Sequence, residues 1–397
     1  MIVPHTESGK ASANPLATGR GRSKKVVIDA RVVVGNHGHG ILRYTEELLI
    51  HLQNIQSELE FVLLVNRDSP FVKRSWPKNF SLFVMRTRWI SFLGQFELAW
   101  VLRAIAPDLF HTPSFMVPLF ANYPLITTIH DLNHVVLSEN YSIFHRIYYS
   151  LILAKKVYKA RAVITVSHFS RSEILSYFRL DPAKVRVIYN GIADHFREFA
   201  SFDETKVQKF LEKYELPDQY ILSIGNRKPH KNVLRTVQAY CSGQFDLPLV
   251  LLTEYDPEIL EVAERAQKKH RIYFLRFVTT QDFPMVYARA RAFVYPSLYE
   301  GFGFPPLEAA ACGVPTVVSK RASLPEVLQD GAVYVDPEDV LDIRRGIEQA
   351  LDDSETMLQC VARGKQIAQQ YRWSLVAQQT LDVYLSVLGS QAGEASS

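Results

Sequence analysis

The sequence predicts an α/β protein of two domains, and three observations carry that reading. The chain has 397 residues, more than one domain of ordinary size holds. Hydrophobic residues make up 47% and charged residues 22%, the composition of a folded globular protein. Short apolar runs recur, each closed by a glycine-rich or basic loop and followed by a helix-forming segment: KVVIDARVVV before GNHGHGILRY, YILSIG before NRKPHKN, and RAFVY before PSLYEGFGF. Such runs form buried strands, and strands alternating with helices form a parallel sheet.

Lys25–Val34 is the first expected strand. A loop with Gly35, Gly38 and Gly40 follows, then an amphipathic helix carrying Leu48, Leu49 and Leu52. Strand, glycine loop and helix make a candidate phosphate-binding turn, although the spacing is not G-x-G-x-x-G. His37 and His39 read as part of a solvated loop. Glu60–Asn66 is another strand, and Trp89–Arg103 has helical spacing. His130 and Asp131 follow the apolar run Leu125–Ile129, a strand end where a lone histidine is more often structural. Ser142–Arg161 is expected to be a helix with an apolar stripe through Ile143, Ile147, Leu151, Ala154 and Tyr158, accompanied by Arg146, Lys155, Lys156 and Lys159. A core-facing stripe with a solvated basic face is preferred there over a surface attracted to anionic lipid. A strand ends at Ser167, Ser170 is the expected cap of the next helix, and Asn190-Gly191 is an expected turn.

Charged, helical Asp194–Glu215 leads to the second domain, which opens with the strand Tyr220–Gly225. The loop after it holds Arg227, Lys228 and Lys231, and cations between a buried strand and a helix start suit a diphosphate clamp. Helix Val233–Tyr240, strands Pro248–Thr253 and Ile272–Leu275, and a helix over Gln281–Arg291 are expected next. Ala292–Tyr295 is a strand that ends at Pro296. Gly301 and Gly303 let the following loop turn, Pro305 and Pro306 suit a helix start, Leu307–Cys312 is helical, and Gly313 suits a left-handed cap. Thr316–Ser319 and Ala332–Asp336 complete the strands. Leu324, Leu341–Leu351, Thr356–Tyr371 and Trp373 mark the last helices.

Two carboxylates, Glu300 in the glycine loop and Glu308 in the first helical turn, lie where open α/β sheets bind ligands, beyond the carboxyl ends of the strands. The N–H groups of the loop and helix start favour an anion such as phosphate. A carboxylate beside an anion site accepts hydrogen bonds from hydroxyls instead, and an anion with polyhydroxyl contacts describes a nucleotide sugar. Taken singly, either glutamate fits a structural role complementing the helix dipole.

The whole string PSLYEGFGFPPLEAAACGVP closely resembles the E-x7-E signature of family 4 retaining glycosyltransferases, through Pro296, Ser297, Glu300, Gly301, Phe302, Gly303, Pro305, Glu308, Ala309, Gly313 and Pro315. Gly40, Ile41, Arg43 and Tyr44 fit the family's G-I-x-R-Y loop, and T-I-H-D-L around His130 matches as well. The resemblance covers nearly all of Lys25–Leu388. It implies the GT-B fold, two Rossmann-like domains facing a cleft: residues 25–195 on the acceptor side, 196–371 binding the nucleotide sugar, and a helix over 372–390 crossing back to the first domain. It implies transfer of a hexose from a nucleoside diphosphate sugar to a hydroxyl, with anomeric retention. His130, Glu300, Arg227 and Lys231 would serve the reaction. Gly40, Gly225, Arg227, Lys231, Gly301, Phe302, Gly303, Phe304, Leu307 and Glu308 would bind the donor, with Glu308 on the ribose and Glu300 on the sugar. The family commonly has adjacent Arg-Lys where this chain has His230-Lys231, so Arg227 is the candidate for the second cation.

No Asp-x-Asp metal motif occurs, so neither a metal nor a cofactor is expected. The formal charge of +4 and the lack of a compact basic cluster argue against nucleic-acid binding. Cys241, Cys312 and Cys360 are scattered, which suits a reducing compartment. No apolar run is long enough to span a bilayer, and residues 1–24 read as a disordered leader without a signal-peptide core. The expectation is a cytoplasmic protein with peripheral contact at the inner face of the membrane, acting on a glycan or lipid-linked glycan. The string GNRKPHKN is similar to bacterial mannosyltransferases of polysaccharide assembly and points to GDP-mannose, with UDP-glucose and UDP-N-acetylglucosamine as alternatives. Rival readings are a glycosidase using both glutamates and a non-catalytic nucleotide-sugar-binding subunit.

Overall fold

The computed structural model describes residues 22–35, 40–136, 148–197, 203–279 and 281–394. His37, His39, Arg146 and most of the expected leader lie outside them. The described chain divides into two compact units. The first takes residues up to Thr165, then Glu173–Ile188 and the residues from Ser374 on; the second takes Val166–Ser172 and Tyr189–Trp373.

In the first unit β1 (Lys25–Asp29), β2 (Glu60–Asn66), β3 (Phe80–Met85), β4 (Leu109–Thr112), β5 (Leu125–Thr128), β6 (Ala162–Thr165) and β7 (Val185–Val187) form one sheet in the order β3-β2-β1-β4-β5-β6-β7. Every pairing is parallel. Helices cover such sheets on both faces, so the strands read as continuous apolar runs. β1 is shorter than Lys25–Val34 because Arg31 folds back on Asp29 through Nε (2.8 Å) and Nη2 (2.7 Å), while Val33 N–H closes a turn on the Ala30 carbonyl (3.0 Å). Arg22 and Lys24, at the end of the expected leader, pair with Asp108.

The second unit holds β8 (Tyr220–Ile224), β9 (Leu249–Leu252), β10 (Ile272–Phe274), β11 (Ala290–Tyr295), β12 (Thr316–Ser319) and β13 (Val333–Val335), also parallel, in the order β10-β9-β8-β11-β12-β13. Buried apolar clusters lie on both faces of this sheet. The strand order reverses between β8 and β11, and ligands of open α/β sheets bind at such a switch point.

Several expectations are corrected. Gln281–Arg291 is not a helix: only a 3-10 turn, Phe283–Tyr287, forms before Ala290 joins the sheet beside Tyr220. The cap of helix His168–Phe178 is Ser167, whose Oγ accepts from Ser170 N–H at 3.0 Å. Gly191 is not in a turn but passes so close to Trp373 that a Cβ would sit 2.4 Å from its backbone nitrogen. The expected stripe through Leu151 and Tyr158 is also wrong. Tyr148–Leu153 is a π-helical turn, wider than an α turn, and it rotates the buried face to Tyr149, Leu153 and Val157. The last helix runs Trp373–Glu394, four residues past the expected end at residue 390.

Candidate functional site

The loops after β8 and β11 leave the sheet side by side, and they bring together Lys231 and Glu300. Lys231 Nζ lies 2.7 Å from Glu300 Oε1 and 3.0 Å from Tyr295 OH, over whose ring it also sits. Tyr295 OH donates to the same Oε1 at 2.7 Å, and Ser297 Oγ lies 2.7 Å from it. Three of these contacts converge on one carboxylate oxygen; among the described residues no hydrogen bond reaches Oε2. The Lys231 and Glu300 side chains are 19% and 12% exposed. Burial works against both charges, but the partners outweigh it. Lys231 is held above the usual lysine range by Glu300 and Tyr295, and Glu300 below the usual carboxylate range by Lys231. Both are therefore charged at neutral pH, and Glu300 can only accept hydrogen bonds.

The surrounding loops are tied to one another. Buried Asn232, in the left-handed region at φ 58°, donates from Nδ2 to the carbonyls of Pro296 (2.8 Å) and Pro337 (2.6 Å). Leu298 N–H donates to the His230 carbonyl at 2.8 Å. Ser167 Oγ donates to the Gly301 carbonyl at 2.7 Å, and Ser323 Oγ to that of Glu300 at 2.9 Å. Gly225 follows β8 at a place where only hydrogen fits, since a Cβ would lie 2.4 Å from Val233 Cγ2. His230 is buried, and burial together with Lys231 lowers its pKa to about 4, so it is neutral and supplies no second cation. Arg227 is exposed and turned toward Asp256, at 3.5 Å.

The helix begins at Phe304, one residue before the prolines expected to open it, with Gly303 (φ 99°) as its N-cap. A helix start presents four N–H groups outside its own ladder. Pro305 and Pro306 carry none, so only Gly303 and Phe304 bring N–H groups to this helix start. Leu307 is fully buried in the core, and Phe302, also buried, packs against Phe304 and Tyr371. Glu308 is 1% exposed, and Tyr287 OH donates to its Oε2 at 2.9 Å.

His130 and Gly40 belong to the first unit. His130 Nε2 lies 3.1 Å from the Pro113 carbonyl, and Tyr44 meets the imidazole edge-on at 4.6 Å. Tyr44 is held in turn by Thr128 (3.3 Å), which bonds buried His111 (3.0 Å), and His111 bonds Tyr384 of the last helix (2.6 Å). Burial, with His130 nearby, lowers the His111 pKa to about 3. Gly40 opens the helix Gly40–Leu52. Sequence reasoning gave no site role to Tyr295, Asn232 and Tyr287, and it quoted Ser297 only as part of the signature. The one signal for Tyr295 is its hydroxyl at the last position of a buried strand, before the loop.

The family model Glycosyltransferase Family 4 matches residues 30–196, and Glycosyl transferases group 1 matches residues 205–367. The chain is 35% identical over 294 residues, 72% of this chain and 76% of the relative, to O-antigen chain mannosyltransferase B of Escherichia coli. It is 30% identical over 320 residues to the serotype-specific mannosyltransferase WbdA of Escherichia coli, covering 74% of this chain but 39% of that relative. The crystal structure of Anabaena HepE in complex with UDP and glucose superposes with a TM-score of 0.71 at 18% identity, covering 91% of this chain and 100% of the other, a likeness of fold.

Proposed function

Because the chain belongs to the glycosyltransferases that pair a family 4 with a group 1 domain, we propose that it moves mannose from GDP-mannose to a hydroxyl of a glycan or lipid-linked glycan, with retention at the anomeric carbon. The observation that carries this reading is the Lys231–Glu300 pair at the switch point of the second sheet. The bond from anomeric carbon to diphosphate breaks with both electrons leaving on the diphosphate. The acceptor oxygen takes its place on the same face and passes its proton to the departing diphosphate oxygen. Charge develops on the leaving group, where fixed cations and N–H dipoles stabilise most. Lys231 and the helix start at Gly303 and Phe304 supply them, with Arg227 joining by leaving Asp256. Glu300 Oε2 accepts sugar hydroxyls and Glu308 the ribose hydroxyls, and His130 is assigned to the reaction on the strength of the T-I-H-D-L match alone. No step requires a metal or a cofactor.

Mannose is supported by the similarity to two mannosyltransferases of Escherichia coli. An acceptor on a lipid brings the protein to the inner face of a membrane as a peripheral guest of the cytoplasm. No described helix is long and apolar enough to cross a membrane. The glycosidase reading needs a carboxyl protonated near neutral pH as the general acid. Glu300, with its pKa lowered, does not fit that role.

A thermal-shift panel tests the donor, since a ligand at 100 times its Kd stabilises by about 2.7 kcal/mol. GDP-mannose should raise Tm, and UDP-glucose and UDP-N-acetylglucosamine should not. The opposite ranking overturns the mannose assignment. Slow hydrolysis of the stabilising donor separates an enzyme from a binding subunit, which would bind without turnover.

A further inference from the structure

The helix Phe92–Ile105 is apolar on two faces. Leu98, Val101 and Leu102 point into the core, as a surface helix requires. On the other face Phe92, Phe96 and Trp100, spaced by four residues, are 68%, 51% and 65% exposed. Phe96 stacks on Phe120, itself half exposed, with ring centroids 4.7 Å apart, and Phe92 meets both rings edge-on. These rings form a contiguous patch, and such patches mark interaction sites.

The surroundings are basic. Lys156 Nζ donates to the carbonyl of Ala121, the residue after Phe120, at 2.9 Å, which brings the segment Tyr148–Lys159 alongside. The displaced phase of that segment exposes Leu151 and Tyr158 beside exposed Lys155 and Lys159. Arg88 and Arg103 stand exposed before and within the aromatic helix. None of Arg88, Arg103, Lys155 and Lys159 forms an ion pair among the described residues. Residues 86–106, 113–124 and 148–161 contain a single carboxylate, Glu97. It is occupied by the N–H groups of Arg86 and Thr87 and the Thr87 hydroxyl.

We propose that this face docks on an anionic lipid bilayer. The inference rests on the peripheral membrane contact proposed above and gives it a surface. Aromatic rings settle at the headgroup level, and unpaired lysines and arginines draw the surface to negative headgroups within about a Debye length. A second copy of the chain is a poor occupant, because an isologous contact would set these unpaired cations against themselves.

Co-sedimentation with vesicles tests the proposal, using equal parts phosphatidylglycerol and phosphatidylcholine against phosphatidylcholine alone. Wild type should pellet with the mixed vesicles, less so in high salt, and far less with phosphatidylcholine. The triple variant Phe92→Ser, Phe96→Ser, Trp100→Ser and the charge variant Lys155→Glu, Lys159→Glu should each partition about tenfold less or weaker. All the substituted side chains are exposed, and the charge variant leaves the rings in place should the triple variant fold poorly. If wild type ignores both vesicles, the membrane contact itself falls. If wild type and both variants bind alike, the membrane contact stands but this surface is wrong. A dimer in sedimentation velocity that the triple variant abolishes also overturns the assignment.

Discussion

Lys231 and Glu300 stand 69 positions apart in the chain and 2.7 Å apart in space. They meet because β8 and β11 are neighbours, so the loops that follow them emerge together. The cation proposed to meet the leaving diphosphate thus has a built-in counter-charge. Removing one partner of a buried pair leaves the other uncompensated, at a cost of about 3–5 kcal/mol. Lys231→Ala should therefore lose both stability and, by about 10²-fold or more, turnover. The double variant Lys231→Met, Glu300→Gln should regain most of the stability and none of the turnover. Chemical denaturation beside donor hydrolysis checks this, and recovered turnover in the double variant would contradict the role of Lys231.

Tyr295 touches both members of the pair. Tyr295→Phe keeps the ring and removes the hydroxyl, so Lys231 and Glu300 each lose one partner. Turnover should fall by roughly tenfold, a loss of about 1.4 kcal/mol, at the upper end of the range for an ordinary intramolecular hydrogen bond. Affinity for the bare nucleotide should hardly change, because Tyr295 acts through Glu300. Unchanged turnover would show that the ion pair needs no third member.

Acid should destabilise the protein through its neutral histidines. His230, lowered to about 4, and His111, lowered to about 3, sit below the ordinary value of about 6.5. Below about pH 6.5 the unfolded chain takes up protons that the folded one does not, so their contribution is full above that pH and is lost progressively down to about pH 4 and pH 3. Tm should decline across this window, and His230→Gln should flatten part of the decline. The depressed Glu300 adds to the loss only below its ordinary range near pH 4.3. The raised Lys231 contributes below its ordinary pKa near 10.4, and that contribution is lost only as pH rises through its raised value.

Activity should survive EDTA, because protein cations are proposed to meet the diphosphate. Among the described residues no cluster of three histidine, cysteine or acidic side chains is placed to hold an ion. Abolition by chelator with rescue by Mg²⁺ or Mn²⁺ would refute this.

The loops bearing Lys231 and Glu300 were legible because local chemistry dictates them: Gly303 takes φ 99°, and prolines suit a helix start. What escaped depended on partners distant in sequence. β1 stops early for an ion pair between Asp29 and Arg31, Gly191 answers to Trp373, and Gln281–Arg291 gives way to sheet pairing with Tyr220. The π-helical turn at Tyr148–Leu153 defeats a 3.6-residue period by construction, so the true buried face could not be read from spacing. The network on Glu300 Oε1 was equally hidden, since nothing in the sequence pairs Tyr295 with Lys231.

The orientation of the donor is the central claim, and calorimetry on the two glutamates tests it most directly. Glu308, buried on the helix, is assigned the ribose; Glu300, with Oε2 unclaimed among the described residues, is assigned the sugar. Titrating GDP-mannose and GDP into Glu308→Gln should show both weakened, by about 1.5–3 kcal/mol for a lost charge-assisted hydrogen bond. Glu300→Gln should weaken GDP-mannose and leave GDP nearly unchanged. If both variants bind GDP like wild type, neither glutamate holds the ribose and the proposed orientation is wrong.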